Sequence, residues 1–305
     1  MNQKDFAESL DRLKLSIDQE DFHTAKRIAR TLGSINCAAM PSDKVQLLQV
    51  HTAILEVYSS PDETTRSKLI ETVNFESLDY LLKAEILRLI AFLDIERKNY
   101  SEAEARINKG LALLPERTNA ADVLNARLQL LNLMVHLKLH QNKTDDTSQA
   151  LNDLIRTFES HKAQTNSFVL TLLRTISAVE KFRGNRQARD AAIQKAYQLG
   201  GELDKAGSIA YMFILEEMSA ISLNHGRLAD SLSQMLEAYG ISKRKFGILR
   251  GRTRLLLLEL GIRLALMRRF KEAQLCYLKI IRAERLARIE KGFSSIASDR
   301  LANLA

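Results

Sequence analysis

The sequence predicts an all-α protein built as a row of antiparallel helix pairs, and three features carry that expectation. Aromatic residues are only 6% of the 305 residues, while Leu, Ala, Lys, Arg and Glu are abundant, a usage that favours helix over strand. Three prolines occur, Pro41, Pro61 and Pro115, so the strongest helix breakers are missing from everything beyond residue 115. Apolar residues recur at helical spacing between short polar turns. An apolar content of 46% is enough to bury a large core, and a single domain spanning residues 1–305 is the expected organisation.

Taken in order, the first pair places Leu10, Leu13 and Ile17 on one helix and Phe22, Ala25 and Leu32 on the next, across a turn at residues 19–21. In the second, residues 45–58 form the first helix. Ser60, Pro61 and Glu63 then make a capping box with proline at the first helical position, opening a helix to about Val73. The third pair, residues 85–115, is the best formed. Ile90, Ala91, Leu93 and Ile95 recur at helical spacing, break at residues 97–99 and resume at Tyr100, Ala103, Ile107, Gly110 and Leu111. Ser101 and Glu104 are spaced as a capping box, and Pro115 stops the helix. Ala103 and Gly110 are small enough to let a second helix approach closely.

Ala91, Tyr100, Ala103, Ile107, Gly110 and Pro115 stand at the spacing of a tetratricopeptide repeat, and the chain resembles that family. Two departures are visible in this pair: Leu87 stands where the family often has Trp, and Asp94 where it usually has Tyr. The resemblance implies a right-handed superhelix, an α-solenoid of about seven antiparallel helix pairs, with a concave groove that holds a protein or peptide.

The later pairs repeat the pattern. Residues 122–139 form a first helix, residues 142–148 a loop, and Ala150, Leu154 and Phe158 the partner helix. Residues 168–182 pair with Ile193, Ala196 and Leu199 across Gly184 and Asn185, although Arg189 stands where a small residue is expected; Gly200 and Gly201 end that helix. Residues 209–223 turn at His225 and Gly226 into Leu228, Ser231, Met235 and Ala238. The last pair, residues 254–286, carries Leu257, Leu260, Gly261, Leu264, Phe270, Ala273, Tyr277 and Ile280. Residues 293–305, with Phe293, Ile296 and Leu301, cap it. The markers Ala25, Ala103, Ala150, Arg189, Ser231 and Ala273 step by roughly 40 residues, the second pair filling the double-length first step. That period exceeds the usual repeat of about 34 residues, and it is similar to the long units in the sensor arms of large bacterial transcription regulators. No nucleotide-binding loop or helix-turn-helix accompanies it.

Cys37 and Cys276, the two cysteines, lie near opposite ends, so no disulfide framework is expected and the reducing cytoplasm is the default compartment. Asp5, Glu8 and Asp11 near the start are unlike a secretory signal. The most apolar run, residues 255–262, contains Glu259 and lies between Arg254 and Arg263. It is too short and too charged to span a bilayer and reads as a buried helix.

Catalytic signals are absent from the sequence. His136 and His140 are four apart on one helix, a spacing that suits two metal ligands, but no Glu follows His136 and no third ligand is near. They read as two partly exposed histidines. His23, His51, His161 and His225 are scattered, and Gly247 and Gly251 lack the lysine of a phosphate loop. No catalytic residue, metal or cofactor is expected, which leaves a non-catalytic adaptor or regulator; a catalytic version would need titratable groups converging from distant pairs.

Charge is uneven. The net +8 is carried by residues 241–305, which hold 16 Lys and Arg against five Asp and Glu. Lys243, Arg244, Lys245, Arg250, Arg252 and Arg254 crowd the entry to the last pair, and Arg268, Arg269 and Lys271 its turn. Three explanations compete: helix-end charge complement on a solvated face, docking of an acidic protein segment, and binding of a nucleic-acid backbone. Only Phe246 is interleaved with the densest basic run, residues 243–254, few aromatics for base stacking. Carried residue by residue, the family resemblance implies groove-facing positions at Arg88, Phe92, Arg174, Lys181, Glu216 and Asn224. The expected partner is a protein or peptide of acidic character, with nucleic acid the alternative and no membrane partner; the sequence leaves the oligomeric state open.

Overall fold

The computed structural model describes residues 3–18, 22–34, 41–59, 78–115, 120–161, 168–203, 208–248, 250–286 and 293–304. These form fourteen α-helices and no strand: α1 (Gln3–Asp18), α2 (Phe22–Gly33), α3 (Ser42–Ser59), α4 (Tyr80–Glu96), α5 (Tyr100–Leu113), α6 (Ala121–His140), α7 (Thr144–Ser160), α8 (Val169–Phe182), α9 (Arg186–Leu203), α10 (Ile209–Asn224), α11 (Leu228–Phe246), α12 (Gly251–Leu266), α13 (Phe270–Leu286) and α14 (Ser294–Ala302). They fall in two compact units. One holds residues up to Ile17 with Thr24–Ala192, the other Asp18–His23 with Ile193 onward.

One turn geometry recurs five times and sets the repeat. Lys98, Asn142, Gly184, Gly226 and Arg268 all lie in the left-handed region, with φ of 66°, 56°, 74°, 73° and 58°. Each donates its N–H to the carbonyl three residues back at 2.9–3.1 Å, and the next residue donates to the carbonyl five back at 2.9–3.2 Å. This is a Schellman ending, which satisfies the last carbonyls of the first helix and aims the chain into the second. The five residues stand 44, 42, 42 and 42 apart, so in these five pairs the first helix ends, and the second starts, at a fixed offset.

That register corrects the sequence alignment in one pair. The small position of Ala103 is taken by Thr147, Arg189, Ser231 and Ala273, and Ala150 lies one turn further on. Residues 142–148 are mostly not loop, because α7 already starts at Thr144. Asp145 and Asp146 look loop-like in sequence but complement the positive end of the helix. Thr147 is buried, with its hydroxyl donating to Lys143 O at 2.6 Å.

In the first unit α4, α5 and α6 share a core of Ala91, Ile95, Ala103, Ile107, Leu130 and Leu137. A Cβ on Gly110 would stand 3.1 Å from Leu130, so the close approach expected there is real. The capping box is not. α5 starts at Tyr100 behind Asn99, with no side-chain cap, and Glu104 instead accepts from Lys138 of α6 at 2.7 Å. Asp94, where the family has Tyr, is fully buried and paired with Arg106 of α5, so an ion pair joins the two helices at that position. Arg189 avoids the core by turning its guanidinium onto Asp190.

In the second unit the helix expected to end at Gly200 and Gly201 runs on to Leu203. Gly200 is a contact point, since a Cβ there would lie 2.3 Å from the Tyr211 ring. Gly261 does the same for Tyr277, at 2.5 Å. Leu256, Leu257, Leu258 and Leu260 bury α12 as expected. The capping segment forms α14, but Ile296 is exposed and Ala297 is its buried residue, so the face that α14 turns inward is the one beside Ile296. Ser60, Pro61, Glu63, the rest of that helix and Cys37 lie outside the described residues.

Candidate functional site

The first helices of three successive pairs, α4, α6 and α8, pack side by side in the first unit. Counted from the recurring turn, Arg88, Asn132 and Arg174 hold one position on these helices, and Phe92 and His136 hold the position one turn on. Thr175 Oγ1 donates to the Asn132 side-chain oxygen, tying α8 to α6 beside that row. On α6 the residues Asn125, Gln129, Asn132, His136 and His140 follow at spacings of four, three, four and four, which puts them on one face. All but the exposed His140 are half-buried.

The chemistry of this wall is hydrogen bonding with some positive charge. Each Asn or Gln amide offers both a donor and an acceptor, matching the alternating groups of an extended peptide backbone. Burial pushes His136 down to about 4, with Arg174 and then His140 adding to the effect. Its imidazole is therefore neutral at pH 7, able to donate and accept. Arg88 is held in a fork by Glu85 at 2.7 and 2.8 Å. Arg174 is half-buried, and Phe92 and Lys181 are exposed. Two members of the wall, Asn132 and His136, escape the sequence-based groove positions because the misplaced marker at Ala150 sends the position of Arg88 onto Val135, which is fully buried.

The remaining groove positions, Glu216 and Asn224, belong to α10 in the second unit. Asn224 is exposed. Glu216 is ion-paired with Arg252 of α12, whose guanidinium lies 4.6 Å from the Phe213 ring centroid. Burial raises the Glu216 carboxyl above its ordinary value even against the pull of Arg252. Further along, Ser219 of α10, Ser231 of α11 and Arg263 of α12 form a buried polar knot: Arg263 Nε donates to both hydroxyls at 3.0 Å, and Ser219 Oγ donates to Ser231 O at 2.7 Å.

The basic residues divide into two groups at opposite ends of α12, whose 16 residues span about 24 Å. At one end Lys243 and Arg244 are exposed and Lys245 half-buried in the last turn of α11, where they complement the helix dipole. Arg250 lies over Phe246 at 5.9 Å. Arg252 is taken up by Glu216, and Arg254 is buried against Glu284 at 2.8 Å. At the other end Arg268 and Lys271 are exposed, and Arg269 forks onto Glu272 at 2.6 and 2.7 Å. Cys276 is buried, and burial pushes its thiol up. Among the described residues no three His, Cys, Asp or Glu gather in a way that would hold a metal ion, and no helix is long and apolar enough to cross a membrane.

No protein-family model matches the chain, and neither does any curated protein. Solved structures do match. BtubC (BKLC) from P. vanneervenii superposes with a TM-score of 0.52 at 13% identity, over 81% of this chain and 91% of that one. A signal transduction ATPase from Pyrococcus horikoshii with a tetratricopeptide repeat sensor gives 0.52 at 12% identity, over 97% of this chain and 46% of that protein. At such identities the likeness is one of fold.

Proposed function

We propose that the chain, which has the tetratricopeptide-like helical-repeat fold, is a non-catalytic adaptor or regulatory scaffold of the cytoplasm. It holds an extended segment of a partner protein along the wall of α4, α6 and α8. The observation that carries this reading is the half-buried row Arg88, Asn132 and Arg174 with His136 beside it, on three helices packed edge to edge. Amides and a neutral imidazole suit a peptide backbone, and Arg174 suits an acidic side chain or a terminal carboxylate. Phe92 supplies the apolar anchor. Acidic character in the partner also fits the surplus of cations in residues 241–305.

The test is a pull-down of the tagged chain from native cytosol at physiological salt, with and without nuclease, alongside the variant Asn132→Ala/Arg174→Ala. The expected result is a discrete protein that survives nuclease and is lost with the variant. Thr175 keeps its bond to Thr171 O at 3.0 Å, so the variant should fold. Co-purifying nucleic acid, with proteins lost on nuclease treatment, would overturn the proposal in favour of backbone binding by the cations.

A further inference from the structure

α13 has two faces of opposite character. One is buried: Ala273, Cys276, Tyr277, Ile280 and Ala283 are covered, and Glu284 on the same side accepts from the backbone N–H of Phe293 and Ser294 at 2.8 and 2.7 Å, seating α14. The opposite face carries Lys271, Leu275, Leu278 and Arg282 at i, i+4, i+7 and i+11, a single stripe along the helix. Leu275 is 56% exposed and Leu278 37%. Lys279 and Arg285 flank them, also exposed. No carboxylate lies between residues 273 and 283, and Glu272 at the edge is occupied by Arg269. Two adjacent leucines framed by cations, on a helix already packed on its other side by α12 and α14, form a site with its own chemistry.

We infer that this outer face of α13 is a second docking surface, one that takes an acidic amphipathic helix of another protein. Charge complementarity selects the occupant: leucines on the incoming helix cover Leu275 and Leu278 while flanking glutamates meet Lys271, Lys279, Arg282 and Arg285. A second copy of the chain is the wrong partner, because the same face would set cations against cations. The inference does not depend on the wall of α4, α6 and α8.

The test is fluorescence anisotropy with the full chain and a labelled synthetic helix bearing leucines at i, i+3 and i+7 spacing flanked by glutamates. Leu275→Ser/Leu278→Ser and Lys279→Glu/Arg282→Glu should each weaken binding by about tenfold or more. Both double variants should remain folded, with only a modest fall in thermal stability for the leucine pair, since Leu275, Lys279 and Arg282 are exposed and Leu278 is 37% exposed. Asn132→Ala/Arg174→Ala should bind the probe normally, which separates this surface from the wall. Any of four results overturns the inference: equal binding by the α13 variants, equal binding of a probe with lysines for glutamates, capture by phosphatidylserine vesicles that depends on Leu275 and Leu278, or a dimer in sedimentation that those two substitutions dissociate.

Discussion

Gly200 decides between two accounts of one glycine, and a single methyl group separates them. If it served only to end a helix, alanine would stabilise the longer helix that the structure shows, by about 1 kcal/mol. The packing says otherwise. An added Cβ would stand 2.3 Å from Cδ2 and Cε2 of Tyr211 and 3.3 Å from Cγ. Tyr211 is nearly buried and stacked on Tyr197, with centroids 6.5 Å apart, so the ring has little room to withdraw. Overpacking of this kind costs about 1–3 kcal/mol, and after the propensity gain Gly200→Ala should lose about 1 kcal/mol. Gly201 has nothing within 4 Å of its Cβ position, so Gly201→Ala should gain about 0.5–1 kcal/mol. In a Tyr211→Ala background the clash vanishes, and Gly200→Ala should turn stabilising by about 1 kcal/mol, a coupling of about 2 kcal/mol. The chain has no Trp, so urea unfolding followed by circular dichroism at helical wavelengths is the assay. Equal stabilisation by Gly200→Ala and Gly201→Ala, with Tyr211 intact, would refute the close-packing argument.

Three more outcomes follow from the same coordinates. Ala103 is fully buried among Ile107 and Leu130, so Ala103→Arg should cost about 1–3 kcal/mol or more; an unchanged melting temperature would contradict the packing. Lys98 and Arg268 hold the left-handed conformation that Gly226 holds without strain. Lys98→Gly and Arg268→Gly should therefore gain up to about 1 kcal/mol, and Gly226→Ala should lose about 1–2 kcal/mol in thermal melts. His136 titrates near 4 in the fold against its ordinary 6.5. The unfolded chain therefore binds the extra proton first, and the contribution of the neutral ring is complete above pH 6.5 and lost as pH falls toward 4. His136→Gln should flatten the stability profile between those values, and a parallel slope in the variant would exclude this role.

The helix pairs are legible in the sequence because their cores repeat apolar and small residues at helical spacing, and two of the five turns announce themselves as Gly184 and Gly226. Lys98 and Arg268 announce nothing, since lysine and arginine carry no sign of a left-handed backbone; only neighbouring helices impose it. The error at Ala150 has a local cause. Thr144, Asp145, Asp146, Thr147 and Ser148 are polar enough to pass for a loop, yet they form the first turns of α7. A shift of three residues is nearly one helical turn, so the misaligned helix still looks amphipathic and the mistake leaves no trace in its periodicity. Its effect falls on the site, because it hides Asn132 and His136. Gly200 is misread for a related reason: a glycine near a helix end looks the same whether it frees the backbone or makes room for a ring.

Charge in residues 241–305 is the feature whose meaning changes most between sequence and fold, and one comparison separates its uses. Arg254 and Glu284 are 5% and 1% exposed and joined at 2.8 Å. The same carboxylate caps α14 through Phe293 and Ser294. Burial opposes its ionisation, but the hydrogen bonds from Ser294, Phe293 and Arg254 outweigh that and hold it below its ordinary value of 4.5. Removing Arg254 leaves a buried carboxylate with only its capping donors, so Arg254→Met should cost about 3 kcal/mol and release α14 early in thermal unfolding. Arg268 and Lys271 are exposed and contribute little to the fold. Arg268→Glu/Lys271→Glu should leave stability nearly unchanged while slowing association with an acidic partner by up to about tenfold at low salt and flattening its salt dependence. If the exposed pair proved as costly to stability as the buried arginine, or left association untouched, the steering role would fall and the cations would be structural at both ends of α12.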